Sequence, residues 1–237
     1  MIAGAETLAA LVTNCYHASR DEASKRNEGF MLRIDLYTEI TCPWCIVGHR
    51  RLDKVLAERF PSLPVRILQH PVLLVPDAPR EGLYIPDVLR KKYGFYDSKI
   101  AFARIETEAR ASGFDLDLGS MKWVYPTQAA HALVLSADED LQHRLAVAFT
   151  NAFFLEGKKI SDADVLADIA EGYGFTRARA REIALDPMQH KRVETEAARS
   201  AAAGVNSVPT FHLGGRVWMT GGRSEADIAT VIDAAIA

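Results

Sequence analysis

The chain has 237 residues, 49% of them hydrophobic and 25% charged, with a formal net charge of −3. That balance fits a soluble globular protein, gives no basic surface for nucleic acid, and leaves no apolar run of the roughly 18 residues that a membrane span needs. Three cysteines are too few for a disulfide scaffold.

The first 30 residues stand apart. "MIAGAETLAALVTNCYHASR" has no positive charge ahead of its modest apolar stretch, so it does not read as a secretory signal, and a cytoplasmic location is expected. "HASRDEASKRNEGF" is polar and aperiodic, which predicts a flexible extension over 1–30 with a short helix over 6–17 and a spare thiol at Cys15. Two starts are compatible with this stretch, Met1 and Met31, the latter directly before the first strand.

"LRIDLYT" (32–38) alternates as a strand does. The segment 45–60 places Ile46, His49, Leu52, Val55 and Leu56 at helical spacing before Pro61, and "PVRILQ" (64–69) is the next strand. Strand, helix and strand make a βαβ unit with parallel strands and a right-handed crossover. Residues 70–86 hold four prolines and read as a loop. Helical patterns then run over 86–93, 98–112, 126–137, 139–156, 161–173, 176–186 and 187–203. The clearest has an apolar stripe of Leu141, Leu145, Ala148, Phe149, Ala152 and Phe153. Ser161 with Asp164 looks like a capping box, and Gly172 and Gly174 are stop signals. "SVPTFHL" (207–213), a Gly-Gly turn and "RVWMT" (216–220) predict a hairpin, followed by a closing helix over 224–237. Neither strand group has enough sheet to stand alone, so both are expected in one mixed sheet. The expected units are a thioredoxin-like domain from 31–75 and 187–237, and a helical insertion domain over 76–186.

"EITCPWCIVGHRR" (39–51) carries the chemistry. Cys42 falls at the strand-to-helix junction, where free backbone N–H groups and the helix dipole favour a thiolate. Pro43 suits the first helical turn because its missing N–H is not needed there. Cys45, one turn on, is placed to bond to Cys42 and is better shielded. A zinc site would want a second Cys or His pair; the seven histidines show no such spacing, and no metal is expected. Two inert buried cysteines are the other alternative. A CxxC beside a βαβ pattern favours a redox pair.

Taken with "HPVLLVPDAPREG", "LRKKYG", "FFLEGKKISDADVLADIAEGYG" and "GVNSVPTFHLGG", the CPWC segment resembles the DsbA family, and within it the FrnE-like branch, over residues 31–237. The resemblance implies an α/β thioredoxin fold, βαβ…ββα with a mixed central sheet, carrying a large all-helical insertion. It implies that Cys42 is the nucleophile, that Cys45 resolves the mixed disulfide, that Pro209 is a cis-proline facing the pair, and that the Val208 backbone bonds an extended substrate. Trp44 either faces a partner or packs over the disulfide. His49, Arg50 and Arg51 read as a solvated basic face, and Gly221–Gly222 as a bend. Where the branch often has Pro-Phe, this chain has Pro71–Val72, which predicts a differently shaped pocket beside the cysteines.

The resemblance therefore implies a thiol–disulfide oxidoreductase. It needs no tightly bound cofactor beyond its own Cys42–Cys45 disulfide, takes glutathione as an electron donor, and acts on thiol- or disulfide-containing proteins or small molecules. The alternative is a glutathione-dependent isomerase or transferase of the 2-hydroxychromene-2-carboxylate isomerase or kappa glutathione transferase type. These look like the same fold with a serine at the position of Cys42.

Overall fold

A computed structural model describes residues 31–237; Cys15 and the helix expected over 6–17 lie outside them. Four strands form one sheet in the order β2-β1-β5-β6: β1 (Leu32–Thr38), β2 (Val65–Pro71), β5 (Thr210–Leu213) and β6 (Val217–Thr220). Strand β1 pairs parallel with β2, from Leu32 opposite Val65 to Thr38 opposite Pro71. It pairs antiparallel with β5, Ile34 facing Leu213 and Tyr37 facing Thr210. The strands on either side of the helical block therefore share a sheet, as predicted.

Helix α1 (Pro43–Arg59) links β1 to β2. Leu52 and Val55 of α1 pack with Leu32, Ile34, Leu36, Phe211 and Met219 of the sheet and with Ile228 and Ile232 of the closing helix α9 (Glu225–Ile236). Each such side chain contributes roughly 1.5–3 kcal/mol by leaving water. Helix α9 starts on the predicted capping box: Ser224 Oγ accepts from the Asp227 N–H, and the Asp227 carboxylate accepts from the Ser224 N–H.

Between β2 and β5 lie a two-stranded ribbon, β3 (Leu83–Tyr84) with β4 (Trp123–Val124), and helices α2 (Ile85–Val88) and α3 (Ser98–Ala111). There follow α4 (Gln128–Ser136), α5 (Glu139–Phe154), α6 (Ala163–Ala170), α7 (Arg177–Leu185) and α8 (Pro187–Ala202). A wide π-turn over Leu89–Tyr93 follows α2 and ends at Gly94, whose φ of 72° lies in the left-handed region that glycine enters freely. The ribbon was missed because two residues per strand carry no readable alternation. Leu133, Leu145, Phe149, Leu166, Ile183 and Val193 form the core of the helical layer. Helix α8 reaches both layers: Val193 enters that core, and Ser200 Oγ donates to the Pro71 carbonyl at 3.1 Å. Among the described residues no helix is long and apolar enough to cross a membrane.

Two local expectations are corrected. Ser161 does not cap α6. Asp162, one residue later, accepts from the Asp164 N–H at 2.9 Å, while Ser161 Oγ donates to the Arg80 carbonyl at 2.8 Å. Nor do residues 49–51 form a solvated basic face. His49 and Arg51 are buried, and the Arg50 guanidinium lies 4.4 Å from the centre of the Phe114 ring.

Arg51 spends its whole fork. Nε donates to Ser112 Oγ at 2.7 Å, Nη1 to the Gly222 and Arg223 carbonyls at 3.1 and 2.9 Å, and Nη2 to the Glu108 carboxylate at 2.6 Å and the Glu108 carbonyl at 3.2 Å. It ties α1 to α3 and to the loop before α9. Removing the buried arginine leaves the Gly222 and Arg223 carbonyls and Ser112 Oγ without this donor, while the Glu108 carboxylate stays partly solvated. Arg51→Ala should lower the unfolding free energy by about 3 kcal/mol, read from the urea midpoint at unchanged slope. A loss no larger than that of an exposed arginine would mean the clasp carries no stability.

Candidate functional site

Strand β1 ends at Thr38, and the chain turns through Glu39, Ile40 and Thr41 into α1. Cys42 is the N-cap residue in extended conformation, with Pro43 as the first helical residue. The Cys42 N–H donates to the Glu39 carbonyl at 3.0 Å, and the Cys45 N–H donates to the Cys42 carbonyl at 2.9 Å. This tight turn stacks the two cysteines one above the other on the same side of the helix. Both are free thiols and both are buried, Cys45 completely.

Residues distant in sequence close over them. Cys42 Sγ lies 3.9 Å from the Val208 carbonyl oxygen. The Val208–Pro209 peptide bond is cis, and the Pro209 ring leans on α1 at Gly48, where a Cβ would lie 2.8 Å from Pro209 Cγ. Only a residue without a side chain lets helix and proline approach this closely. Val72 and Leu74, from the loop after β2, pack against the cluster of Cys42, Cys45 and Val208. The Pro71–Val72 departure noted in the sequence therefore bears directly on the cysteine environment.

Trp44 takes neither expected role cleanly. It is half-buried, packs against the cysteine cluster on one side and the buried cluster of Ile46, Val47, Ile105 and Leu118 on the other, and has the Arg104 guanidinium 5.6 Å from its ring centre. Its ring lies so close to Gly222 that any Cβ there would collide with it. Gly222 is thus a contact surface for Trp44, not merely part of a bend. Gly221 supplies the turn, with φ of 88°.

Two buried groups lie near this site, one not singled out in the sequence and one read there as solvated. Glu39 has no exposed surface. Its carboxyl accepts from the Leu74 N–H at 3.0 Å and from the Thr41 N–H at 3.3 Å, and His131 Nε2 of α4 stands 3.7 Å away. Burial pushes the Cys45 thiol well above its ordinary value, and the adjoining Cys42 sulfur adds to this. The Glu39 backbone acts the other way, through a hydrogen bond, while its charge pushes upward. Cys45 is therefore a thiol that holds its proton, hydrogen-bonded to the Glu39 backbone and within electrostatic reach of the Glu39 carboxyl group. The signal available in the sequence was an acidic residue in a three-residue turn of otherwise apolar and small character.

The second group is His49, fully enclosed one turn beyond Cys45, with neither ring nitrogen hydrogen-bonded. Its ring stands edge-on to His143 at 5.3 Å between centres. His143 in turn bonds Asp53 at 2.7 Å and the Gln69 amide at 2.9 Å. Among the described residues no group of three or more His, Cys, Asp or Glu is placed to hold a metal ion.

A match to the DSBA-like thioredoxin domain covers residues 33–233. The chain belongs to that family. It is similar to the uncharacterized protein YwbO of Bacillus subtilis, 24% identical over 189 residues, which span 78% of this chain and 88% of that one. Among solved structures it resembles a probable DsbA oxidoreductase, SCO1869 from Streptomyces coelicolor. That match has a TM-score of 0.76 and 23% identity, covering 86% of this chain and 90% of the other. It also resembles the cytosolic disulfide reductase DsbM from Pseudomonas aeruginosa with GSH. There the TM-score is 0.58 and the identity 17%, over 86% of this chain and 98% of that one. The fold is the DsbA-like thioredoxin fold with a helical insertion, and the family supports an oxidoreductase or isomerase role.

Burial, and secondarily the neighbouring His143, lower the His49 pKa from 6.5 to about 3. Between those two values the unfolded chain binds a proton that the folded chain refuses, so stability falls as pH drops through this window. At pH 4.5 the loss attributable to His49 is roughly 2–3 kcal/mol. His49→Leu should lose less stability than the native protein on going from pH 7 to pH 4.5, measured by urea unfolding at both. Parallel losses in the two proteins would show that His49 is not kept neutral.

Proposed function

We propose that the protein is a thiol–disulfide oxidoreductase in which Cys42 forms the mixed disulfide and Cys45 resolves it. The observation that carries this reading is the stacked pair at the N-terminus of α1, with Cys42 under the Val208 carbonyl and Cys45 sealed beneath it. In the reducing direction the Cys42 thiolate attacks one sulfur of a substrate disulfide. The substrate S–S bond breaks and the first thiolate departs. Cys45 then attacks Cys42 Sγ, the mixed disulfide breaks, and the second thiolate departs. The substrate gains two electrons and two protons, and the protein becomes the Cys42–Cys45 disulfide.

The resolving step needs a base because Cys45 is held protonated by burial. Glu39 fills that role: its carboxylate takes the proton and returns it toward the departing thiolate, and the Leu74 and Thr41 N–H groups keep it in place. Glutathione is a suitable reductant of the resulting disulfide, as the GSH complex of DsbM suggests. Net reduction or isomerisation suits a cytoplasmic setting, the setting of the cytosolic reductase DsbM. Proteins and small molecules are both eligible substrates. The finer kinship is with the FrnE-like branch.

Thiol titration of the purified protein in glutathione redox buffers tests the reading. A two-electron transition should appear in the native protein and vanish in both Cys42→Ser and Cys45→Ser. If the pair never oxidises, or if Cys42→Ser keeps a glutathione-dependent activity, the isomerase or transferase reading takes its place. The role of Glu39 has its own test. Glu39→Gln should slow release of the second product thiol by about a hundredfold and flatten its pH dependence, while release of the first is unchanged. Equal slowing of both phases would mark Glu39 as a structural group.

A further inference from the structure

An apolar pocket of about 110 Å³ opens beside Cys42. Its wall includes Thr41 and Pro43, the two residues that flank Cys42, so whatever is bonded to that sulfur starts at the pocket's edge. The rest comes from the loop after β2 and from the insertion, with Leu74, Leu89, Tyr93 and Phe154 among the lining residues. None of the lining residues is charged. Tyr93 sits on the π-turn, and burial followed by the nearby Cys42 sulfur pushes its phenol up, which places the ring within electrostatic reach of the thiol. Lys92 Nζ donates to the Leu74 carbonyl at 2.7 Å and pins the π-turn against the opposite wall.

We infer that this pocket selects the half of a disulfide that stays on Cys42, taking one that carries a phenyl-sized or branched aliphatic group a few bonds from its sulfur. The inference rests on the oxidoreductase reading and narrows its substrate class. The size supports it: a cavity of roughly 150 Å³ takes up benzene, and this one is smaller but open on one side. The chemistry of the walls supports it too. Glutathione carries two carboxylates and an ammonium, which inside the pocket would meet Leu, Val, Ile, Met, Pro and aromatic side chains around one hydroxyl and one phenol. On this reading glutathione remains suited to the reductant's role, arriving after both substrate halves have left and the Cys42–Cys45 disulfide has formed, and is a poor occupant of the pocket.

The step balances without a further reagent. Reduced protein supplies two electrons. Attack by Cys42 on one sulfur of R–S–S–R′ leaves R–S–Cys42 and releases R′S⁻, and which sulfur is attacked decides what stays on the protein.

A probe with two unlike halves reads that choice directly. The mixed disulfide of glutathione and 2-phenylethanethiol is offered to Cys45→Ser, in which the adduct on Cys42 cannot be resolved, and the adduct is identified by intact mass. The phenylethyl adduct should exceed the glutathionyl adduct by about tenfold beyond the ratio given by a free small thiol, since burying a phenyl group contributes at least about a factor of ten. Adding Leu89→Trp, or separately Val88→Trp, fills the pocket and should return the ratio to that of the free thiol. A native ratio equal to the free thiol's, or one favouring glutathione, overturns the pocket's role and leaves the oxidoreductase reading standing. No adduct on Cys42 from either half overturns the oxidoreductase reading itself, and the inference with it.

Discussion

Everything chemical in this protein depends on where the first turn of α1 is held. A cysteine at a helix N-terminus is useful only if the helix cannot slide, because a shift of an ångström separates the sulfur from the strand that closes over it. Two contacts prevent sliding. On one side Gly48 admits the Pro209 ring and the Phe211 edge into the space a side chain would take. On another, the planar Arg51 fork bonds α3 and the loop before α9 in fixed directions. A lysine at position 51 would supply charge without that directionality. The helix is therefore clamped between sheet and insertion, and Cys42 arrives under the Val208 carbonyl as a consequence.

That clamp also explains what could and could not be read from the sequence. The βαβ unit, the hairpin, the helical stripe at Leu145, Phe149 and Phe153, and the CPWC pair are all local patterns, and each has a physical signature within ten or fifteen residues. His49 and Arg51 defeat such reasoning. Periodicity assumes that a helix has a wet face: Arg51, off the apolar stripe, is assigned to it, and His49, although spaced with Ile46 and Leu52, goes with its basic neighbours. Helix α1 has a second layer against that face, supplied by residues far along the chain, so the face is dry. Ser161 failed for a nearer reason: the spacing to Asp164 was right, but Asp162 competes for the same N–H and offers a carboxylate in place of a hydroxyl.

Glu39 is the other residue whose meaning is tertiary. A glutamate in a turn is normally solvated, and nothing in the turn itself says otherwise. Its burial comes from the Leu74 loop after β2 and from His131 on α4 of the insertion. Cys45 loses its water to nearer neighbours, Val208, Trp44, Val72 and Leu74, and that enclosure makes its proton hard to lose. The Leu74 loop thus covers the resolving thiol and, through its N–H, also holds the Glu39 carboxyl group. His49 lies in the same dry interface with no bonding partner, so the interface is maintained at a cost in acid stability.

The division between chemistry and selectivity follows the same line. The reacting atoms come from a stretch of four residues and one strand end, which is why a short motif reveals the class of reaction. The pocket beside them is assembled from Thr41, Leu74, Leu89, Tyr93 and Phe154, positions scattered over more than a hundred residues and individually unremarkable as apolar side chains. Changing the size of any one of them alters what fits beside Cys42 without touching the sulfur chemistry. A fold arranged in this way can keep one reaction while its substrate changes, because the thiols sit on the first turn of α1 and most of the walls come from the loop after β2 and the insertion.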